Sequence, residues 1–313
     1  MRETQSTTVP VPVPRLSDDL AFLNIVTEWD TTSGYHQWKP GIVVPAAFRP
    51  TNAPHRVIAV ANQKGGVGKT ITAFELALSM VARGLRVRLV NSDPQEASLA
   101  DWLPLVYPED VPADQRYTLT DVYFDRCSLP QATWPTRYEG LHMVPSMPDL
   151  ATVESEHPTG AETCLRYHLL ECDPDGFDVT IIDSGPSLDL LSVSALVAAQ
   201  DVLIPVQAAS GLDIKGAAAL FQSINVVKSR MNRELRVAGI VLTDFERSKL
   251  ARTIGAEMAQ AFPEALIIPA RTCVDIGSAQ LEKKSLREYT PHATTVLDYD
   301  KAAEVLLNGA ARR

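Results

Sequence analysis

A chain of 313 residues that is 45% hydrophobic and 21% charged can bury a sizeable core, in one large domain or two small ones. Its formal net charge of −9 argues against binding a polyanion with the whole surface, but it does not exclude a local basic face. No apolar run approaches the roughly 20 residues that span a bilayer, and the N-terminus lacks a secretory signal pattern, so we expect a cytoplasmic protein.

Residues 1–50 are interpreted as an N-terminal extension that is partly disordered. Residues 1–16 contain the Pro-rich run VPVPVPR, which is typical of extended and mobile chain. Residues 18–29 carry apolar residues at helical spacing, and the following KPGIVVPAAFRPTNAP contains repeated breakers of regular structure. The main domain is therefore placed at residues 51–313.

From residue 56 onward, short apolar runs alternate with helical stretches. We expect helices near residues 69–83, 189–199, 212–231 and 248–262. The predicted strands are RVIAVAN, VRLVNS, LHMVPS, DVTIID, DVLIPVQ, VAGIVLT and LIIPA. Continuous β-branched runs separated by helices indicate strands that are buried on both faces. The pattern predicts an α/β fold with a mainly parallel twisted sheet flanked by helices.

A glycine-rich loop lies between the first of these strands and a helix. Gly65, Gly66 and Gly68 allow backbone N–H groups to approach phosphate oxygens at the positive end of the helix. The Lys69 ammonium can reach the terminal phosphates, and the Thr70 hydroxyl can ligate Mg²⁺. A glycine turn that binds nothing is the alternative, but it would need neither the lysine nor the threonine.

The spacing of this loop departs from the usual GxxxxGK[ST] pattern, because Gln63 stands where the first glycine belongs. The variant KGGxxGK[ST] matches from Lys64 to Thr70, and the loop resembles that of the ParA/MinD class of P-loop ATPases. Gln63 favours the ParA branch. The resemblance implies a P-loop NTPase fold, with ATP and Mg²⁺ as cofactors and with Val67 and Ile71 completing the nucleotide-binding loop.

The resemblance extends over residues 56–308. VRLVNSDPQEAS resembles switch I of the family, which places Asp93 on the catalytic aspartate, although Asn91 replaces an earlier family aspartate. FDVTIIDSGPSL resembles the Walker B strand and switch II, which places Asp183 at a strand end; Gly185 replaces a family proline.

The C-terminal match is looser. LIIPARTCVDIGSAQLEKKSLREY follows the family pattern IPRNVRLSEAPSFGKPV only in part, with the arginine displaced to Arg271. This part of the resemblance implies nucleotide contacts at Pro269 and Arg271.

Two carboxylates are candidates for the metal and for catalysis. Asp183 would lie beside Mg²⁺, directly or through water; the alternative is a solvated loop aspartate. Asp93 would orient or deprotonate the attacking water and lie near the metal. Its alternative role is to cap the helix that DPQEA would begin.

The loop contains a second lysine, Lys64. Within one subunit Lys69 already contacts the bound phosphates, so Lys64 would add positive charge there without contacting the phosphates from a new side. The family resemblance implies that Lys64 reaches the nucleotide of the other subunit of a homodimer, as an arginine finger would. Hydrolysis would then depend on dimerisation. The alternative is a solvated loop lysine.

Basic residues are concentrated between residues 228 and 287. This stretch has eleven Lys or Arg and seven Asp or Glu, a net charge of +4 that leaves −13 elsewhere. It predicts a DNA-binding surface, since sequence-independent DNA binding is mostly phosphate neutralisation. The candidates are Arg230, Arg233, Arg236 and Arg252. A solvated helical face with balancing acids is the alternative.

The resemblance implies a partition ATPase. Its ATP-bound dimer would hold nonspecific DNA, associate with the nucleoid, and be released when a ParB-like centromere-binding partner stimulates hydrolysis. Alternatives are a MinD-like ATPase at a membrane surface and a ParA-like ATPase that positions a protein cargo. The end of the chain, DYDKAAEVLLNGAARR, is interpreted as a packed helix rather than a membrane anchor. A metabolic enzyme or metal-cluster carrier ranks third, and the lack of a CxxC pair counts against the carrier.

Overall fold

The computed structural model describes residues 25–26, 41–45, 48–49, 55–94, 99–172, 176–187, 189–209 and 213–308. Within these residues, ten strands form one sheet in the order β1-β2-β10-β9-β8-β3-β7-β4-β6-β5. The strands are β1 (Ile25–Val26), β2 (Ile42–Val43), β3 (Arg56–Val60), β4 (Val87–Ser92), β5 (Trp134–Pro135), β6 (Leu141–Val144), β7 (Val179–Ser184), β8 (Asp201–Gln207), β9 (Arg236–Phe245) and β10 (Leu266–Arg271).

Helices connect and flank the strands. They are α1 (Lys69–Val81), α2 (Leu99–Trp102), α3 (Leu119–Tyr123), α4 (Ala151–Glu156), α5 (Ala161–Arg166), α6 (Leu190–Ala198), α7 (Asp213–Arg230), α8 (Lys249–Ala261), α9 (Ile276–Leu281), α10 (Leu286–Tyr289) and α11 (Thr294–Asn308). Short 3₁₀ turns cover Ala113–Gln115 and Pro148–Leu150, and a π-helical turn covers Tyr167–Glu171.

The seven central strands, from β10 to β6, are mutually parallel, so their carboxyl ends lie at one edge of the sheet. Side chains alternate across β3: Val57 and Ala59 face a core with α6, α7 and α8, whereas Ile58 and Val60 face a core with α1 and α11. Burial on both faces explains why these strands have continuous apolar sequences. The mainly parallel α/β fold expected from the sequence is confirmed.

The predicted central strands and long helices are present within a few residues of their expected ends. The packed C-terminal helix is present as α11. Residues 18–29 differ from the expectation, because Ile25–Val26 form a strand paired in parallel with β2 rather than part of a helix. The rest of that segment lies outside the described residues, as does the Pro-rich run.

Part of the N-terminal extension joins the sheet. Ile267 of β10 pairs antiparallel with Val43 of β2, and Ile42, Val44 and Phe48 are all buried. An antiparallel strand can be added to β10 without a crossover helix. Residues 41–49, where they are described, therefore pack with the domain that follows them in the sequence.

Candidate active site

The glycine-rich loop joins the carboxyl end of the central strand β3 to the start of α1. Gly66 and Gly68 adopt φ angles of 73° and 85°, in the left-handed region that glycine tolerates best. A Cβ atom on Gly65 or Gly66 would meet no atom within 4 Å. The backbone therefore forms an open cradle at a helix N-terminus, which is the geometry that binds phosphate.

Lys69, the first residue of α1, points back into this loop. Its side chain is 7% exposed, and Nζ donates a hydrogen bond to the carbonyl oxygen of Lys64 at 3.1 Å. Burial lowers the pKa of the Lys69 ammonium, while the charges of Asp183 and Asp93 raise it. The ammonium is thus held beside the cradle and faces two carboxylates.

Asp183 lies in β7 beside the loop and is 1% exposed. Neither carboxylate oxygen has a hydrogen bond of ordinary geometry within the described part of the chain. Burial raises the pKa of Asp183 to about 7, Asp93 raises it further, and the Thr70 hydroxyl and Lys69 ammonium oppose the rise. A buried carboxylate with so few hydrogen bonds is costly, which makes Asp183 a candidate ligand for a bound cation.

Asp93 follows β4, which pairs with β7 so that Asn91 lies opposite Asp183. The Asn91 side-chain oxygen accepts a hydrogen bond from the Asp93 N–H at 3.3 Å, and the Ser146 hydroxyl donates to the Asp93 carbonyl at 2.7 Å. Asparagine at position 91 supplies the acceptor without adding a third carboxylate next to Asp183.

Gly185, where the family has a proline, lies beside Asp93. A Cβ atom at this position would lie 3.4 Å from the Asp93 carboxylate oxygen Oδ1, an ordinary van der Waals distance. The structure therefore gives no steric reason for glycine at this position. Residues 95–98 lie outside the described part of the chain, and α2 begins only at Leu99, so the capping role for Asp93 stays a prediction.

A hydroxyl and two carboxylates meet beside the phosphate cradle. Thr70, Asp93 and Asp183 interact with one another and offer the hard oxygen ligands that Mg²⁺ prefers. The residues present therefore fit a magnesium–nucleotide complex.

Lys64 is half-buried and has a fixed backbone. Its N–H donates to the Asn62 side-chain oxygen at 3.2 Å, and its carbonyl accepts from Lys69. Asn62 itself donates to the Pro205 carbonyl at 2.6 Å, which ties the loop to β8. Hydrogen bonds therefore fix the backbone from which the Lys64 side chain extends.

A cavity of about 180 Å³ adjoins the loop on the side of β9 and β10. Its lining residues are Gly66, Gly68, Ile71, Thr243, Asp244, Ala270, Arg271, Ile276, Thr295 and Tyr299. Of the predicted nucleotide contacts, Gly66, Gly68, Ile71 and Arg271 line the cavity. Pro269 is buried within β10 and does not line it.

The Arg271 guanidinium is bound within the protein. Nε and a terminal nitrogen donate to the Asp298 carboxylate at 2.8 and 2.6 Å, and the backbone N–H of Arg271 donates to the same group at 2.9 Å. Such a bidentate pair is strong and directional. Arg271 therefore holds α11 against β10, and its head group is not aimed at a ligand.

A family model described as an AAA domain matches residues 55–237. The chromosome-partitioning ATPase Soj of Thermus thermophilus is 34% identical over 258 residues, which cover 80% of this chain and 95% of the relative. The chromosome partitioning protein ParA of Caulobacter vibrioides is 33% identical, over 68% of this chain and 80% of the relative. The chain belongs to the ParA family of P-loop ATPases.

Among solved structures, cobyrinic acid a,c-diamide synthase from Mycobacterium smegmatis with bound ADP and magnesium is similar to this ParA-family chain. The TM-score is 0.65 at 30% identity, covering 81% of this chain and 94% of the synthase. The ParA fold is thus shared by a partitioning ATPase and a synthase, so the function must be argued from the site.

The predicted DNA-binding residues are divided between two edges of the ParA-type sheet. Arg230, Arg233 and Arg236 lie at the amino end of β9, whereas Arg252 lies in the first turn of α8, beyond its carboxyl end. The ten residues of β9 span about 33 Å at roughly 3.3 Å per residue. The four side chains therefore do not form one patch.

Arg236 is also engaged within the protein. Its Nε donates to Asp201 at 2.6 Å, and the guanidinium lies over the Phe48 ring. Arg230 and Arg233, in contrast, are exposed, and Arg252 is half-buried. Sequence reasoning did not select Arg247 and Lys249, which are exposed at the start of α8. Charge counting cannot separate exposed arginines from paired ones.

Two carboxyl groups near Asp93 also escaped sequence analysis. Burial, followed by a hydrogen bond to Asp189 and the nearby charges of Asp189 and Asp93, raises the pKa of Glu154 to about 7. Glu154 lies on α4 and Asp189 at the start of α6, so no local motif joins them. Only the folded chain brings them to the switch region.

Proposed function

We propose that this chain is a Mg²⁺-dependent partition ATPase whose ATP-bound homodimer holds nonspecific DNA and releases it on hydrolysis. The observation that carries the proposal is the buried Asp183 carboxylate, which lies with Thr70 and Lys69 beside a phosphate cradle and, within the described residues, has no hydrogen bond of ordinary geometry. A site of this kind is stabilised by a bound metal–nucleotide complex.

Each residue of the site has a separate task in this proposal. The loop amides and Lys69 hold the phosphates, and Thr70 and Asp183 hold the metal. Bound Mg²⁺ supplies neutralisation of the phosphate charge during hydrolysis. Asp93, whose backbone is fixed by Asn91 and Ser146, orients the attacking water.

In the proposed dimer, each active site receives a further positive charge, the Lys64 side chain of the other subunit. Lys64 stands on a backbone that is fixed at both its N–H and its carbonyl, so its side chain can be directed at a second subunit without reorganising the loop. The proposed homodimer therefore joins two carboxyl edges of the sheet, with one Lys64 serving each partner's nucleotide.

This orientation favours one basic group as the DNA-binding surface. When carboxyl edges face each other, residues at the amino edge, such as Arg230 and Arg233, point to opposite ends of the dimer. Arg247, Lys249 and Arg252 instead lie near the interface, where two copies can combine into one site. Two weak sites held at a fixed separation bind more tightly than either alone, which would make DNA binding depend on ATP.

The release step requires a stimulating partner, which we propose to be a ParB-like centromere-binding protein. The similarity to a chromosome-partitioning ATPase and to a chromosome partitioning protein supports this role. The proposed location of the ATP-bound form is the nucleoid.

The deciding experiment measures retention of the protein on random-sequence DNA with and without ATP, over a salt series. Retention is expected only with ATP and Mg²⁺, with a log–log salt slope of about −0.9 for each phosphate contact. The paired change Arg247→Glu and Lys249→Glu should abolish retention while ATP binding persists. Arg230→Glu with Arg233→Glu is the matched control at the amino edge and should leave retention nearly unchanged.

The trans role of Lys64 can be tested by mixing subunits. Lys64→Ala and Asp93→Ala should each be nearly inactive alone, but a mixed dimer retains one site with both groups intact. Turnover should therefore recover in mixtures in which cross-linking demonstrates mixed dimers. Demonstrated mixed dimers without any turnover would count against the trans assignment.

Two other functions predict different results. A membrane-surface ATPase would pellet with anionic vesicles in the presence of ATP rather than bind DNA. No described helix is long and apolar enough to span a bilayer, and α11 buries Val296, Ala303 and Leu306 against the core. A synthase like the M. smegmatis structure would need a carboxylic acid substrate for ATP turnover, so turnover stimulated by DNA and a partner alone would exclude that role.

A further inference from the structure

Asp93 follows the end of β4, which lies between β7 and β6 in the sheet. Its backbone carbonyl is bound on the β6 side. Ser146, two residues after the end of β6, is 4% exposed, and its hydroxyl donates a hydrogen bond to the Asp93 carbonyl at 2.7 Å. This bond joins two residues that are 53 positions apart in the sequence.

The carboxylate of Asp93 lies on the opposite side of β4. A Cβ atom on Gly185, which follows β7, would be 3.4 Å from Asp93 Oδ1. The Asp93 charge also acts on Lys69 and Asp183, which lie beside the phosphate cradle. Asp93 is therefore bound by its carbonyl on one side while its carboxylate faces the nucleotide site on the other.

Two further constraints on the Asp93 backbone come from its own segment. The Asn91 side-chain oxygen accepts a hydrogen bond from the Asp93 N–H at 3.3 Å, and Pro94 restricts the residue before it to extended conformations. Both constraints act within two residues, so they set the local conformation of Asp93. The Ser146 hydrogen bond, in contrast, fixes where Asp93 lies relative to the neighbouring strand.

The chain after β6 explains why a side chain makes this contact. Val144 pairs with Val90 at the last register position between β6 and β4. Pro145 has no N–H with which to extend the ladder, and its carbonyl accepts a hydrogen bond from the Leu119 N–H at 2.8 Å. The backbone leaves the sheet at this point, and the Ser146 hydroxyl supplies a donor to the chain that follows β4.

Given the proposed ATPase function, we infer that Ser146 is a positioning residue for hydrolysis, which holds the Asp93 carbonyl so that the carboxylate stays directed at the attacking water. Without the hydroxyl, the phosphate cradle remains intact but Asp93 is free to shift. A displacement of about 1 Å in the reacting geometry can cost about 100-fold in rate. ATP binding rests on the loop and Lys69, so the effect of Ser146 falls on kcat.

The first test compares two buried hydroxyl groups at opposite ends of β6. Ser146→Ala should lower kcat by about 10- to 100-fold while the dissociation constant of ATP with Mg²⁺ stays at the parental value. Thr136→Val is the matched control: Thr136 is 1% exposed, and its hydroxyl donates to the Leu141 carbonyl at 2.8 Å. Each change removes a buried hydrogen bond and should lower Tm, but Thr136→Val should leave kcat unchanged.

A double-mutant cycle distinguishes positioning from a purely structural role. Asp93→Ala removes the carboxylate but keeps the carbonyl that Ser146 binds. In the Asp93→Ala background, Ser146→Ala should lower Tm as it does in the parent. It should not lower the residual kcat further, because residues that act as a unit have non-additive effects on turnover. Single-turnover hydrolysis by the full chain with ATP and Mg²⁺ measures these rates.

A parental kcat in Ser146→Ala would overturn the assignment. It would also be overturned if Ser146→Ala lowered kcat by the same factor with and without the Asp93 carboxylate, since Ser146 would then not act through Asp93. An equal loss of kcat in Thr136→Val would contradict it as well. A parent that does not hydrolyse ATP contradicts the proposed ATPase function itself, so the two failures are distinguishable.

Discussion

Each edge of the parallel strands has a buried aspartate, and the two aspartates differ in their hydrogen-bond partners. At the amino edge, Asp201 is fully buried between two arginines, with Arg56 Nε at 2.6 Å on one carboxylate oxygen and Arg236 Nε at 2.6 Å on the other. At the carboxyl edge, Asp183 is as deeply buried, but within the described residues it has no hydrogen bond of ordinary geometry and no arginine partner. Both aspartates belong to neighbouring regions of one sheet.

Under the proposed function, this difference separates a structural charge from a metal-binding one. Asp201 has its partners in the folded chain, so its cost of burial is offset when the protein folds. For Asp183 the Lys69 charge and the Thr70 hydroxyl compensate only in part, and burial raises its pKa to about 7. Substitutions at the amino edge should therefore affect stability, and substitutions at the carboxyl edge should affect chemistry.

The largest expected effect is on turnover. Asp93→Ala should lower kcat by about 10²- to 10⁴-fold, the usual contribution of a positioned acid or base, because the water loses its orienting carboxylate. ATP affinity and thermal stability should change little, since the loop and its hydrogen bonds remain. Single-turnover kinetics together with a binding titration would measure both. A variant that hydrolyses ATP at the parental rate would leave Asp93 with a structural role alone.

The next effect is on stability at the opposite edge. Asp201→Ala leaves the buried Arg56 guanidinium without its carboxylate and should lower the free energy of unfolding by about 3–5 kcal/mol. Urea denaturation at pH 7 measures the change. Asp183→Asn is the matched control: it should abolish Mg²⁺-dependent ATP binding without this loss of stability. Equal destabilisation by both changes would remove the distinction between the two edges.

The smallest effect concerns a third buried acid. Glu75 of α1 accepts a hydrogen bond from the Leu286 N–H at 2.7 Å, and burial raises its pKa to about 7 despite the nearby Arg287 charge. The Glu75 carboxyl group stays protonated up to about pH 7 in the folded protein, whereas in the unfolded chain it loses its proton near the ordinary glutamate pKa of 4.5. The free energy of unfolding should therefore fall as the pH rises from about 4.5 to about 7. Denaturation at several pH values should show a shallower fall for Glu75→Gln. An unchanged slope would mean that Glu75 does not hold its proton over this range.

The phosphate cradle could be predicted from sequence because its parts are contiguous. Strand, glycines, Lys69 and Thr70 lie within fifteen residues, and each has a local physical reason for its position. The same holds for the parallel sheet, since the strands that it buries on both faces are continuously apolar.

The remaining features depend on partners distant in sequence. Arg271 is separated from Asp298 by 27 residues, and Arg236 from Asp201 by 35, so a charge count took both arginines as available. Likewise, the β2 strand is too short to be distinguished from a loop without the β10 edge on which it pairs. The amino-acid composition does not distinguish a charged residue that pairs with a sequence-distant partner from one that is exposed to solvent.

The margin of the sheet at β5 has a consequence for how copies of the chain can associate. β5 is two residues long, and Pro135 has no N–H to donate. Very short margins and proline discourage backbone pairing between molecules, which otherwise leads to fibres and aggregates. If the chain binds DNA as proposed, copies that lie side by side on one length of DNA are then not expected to join sheet to sheet at this margin.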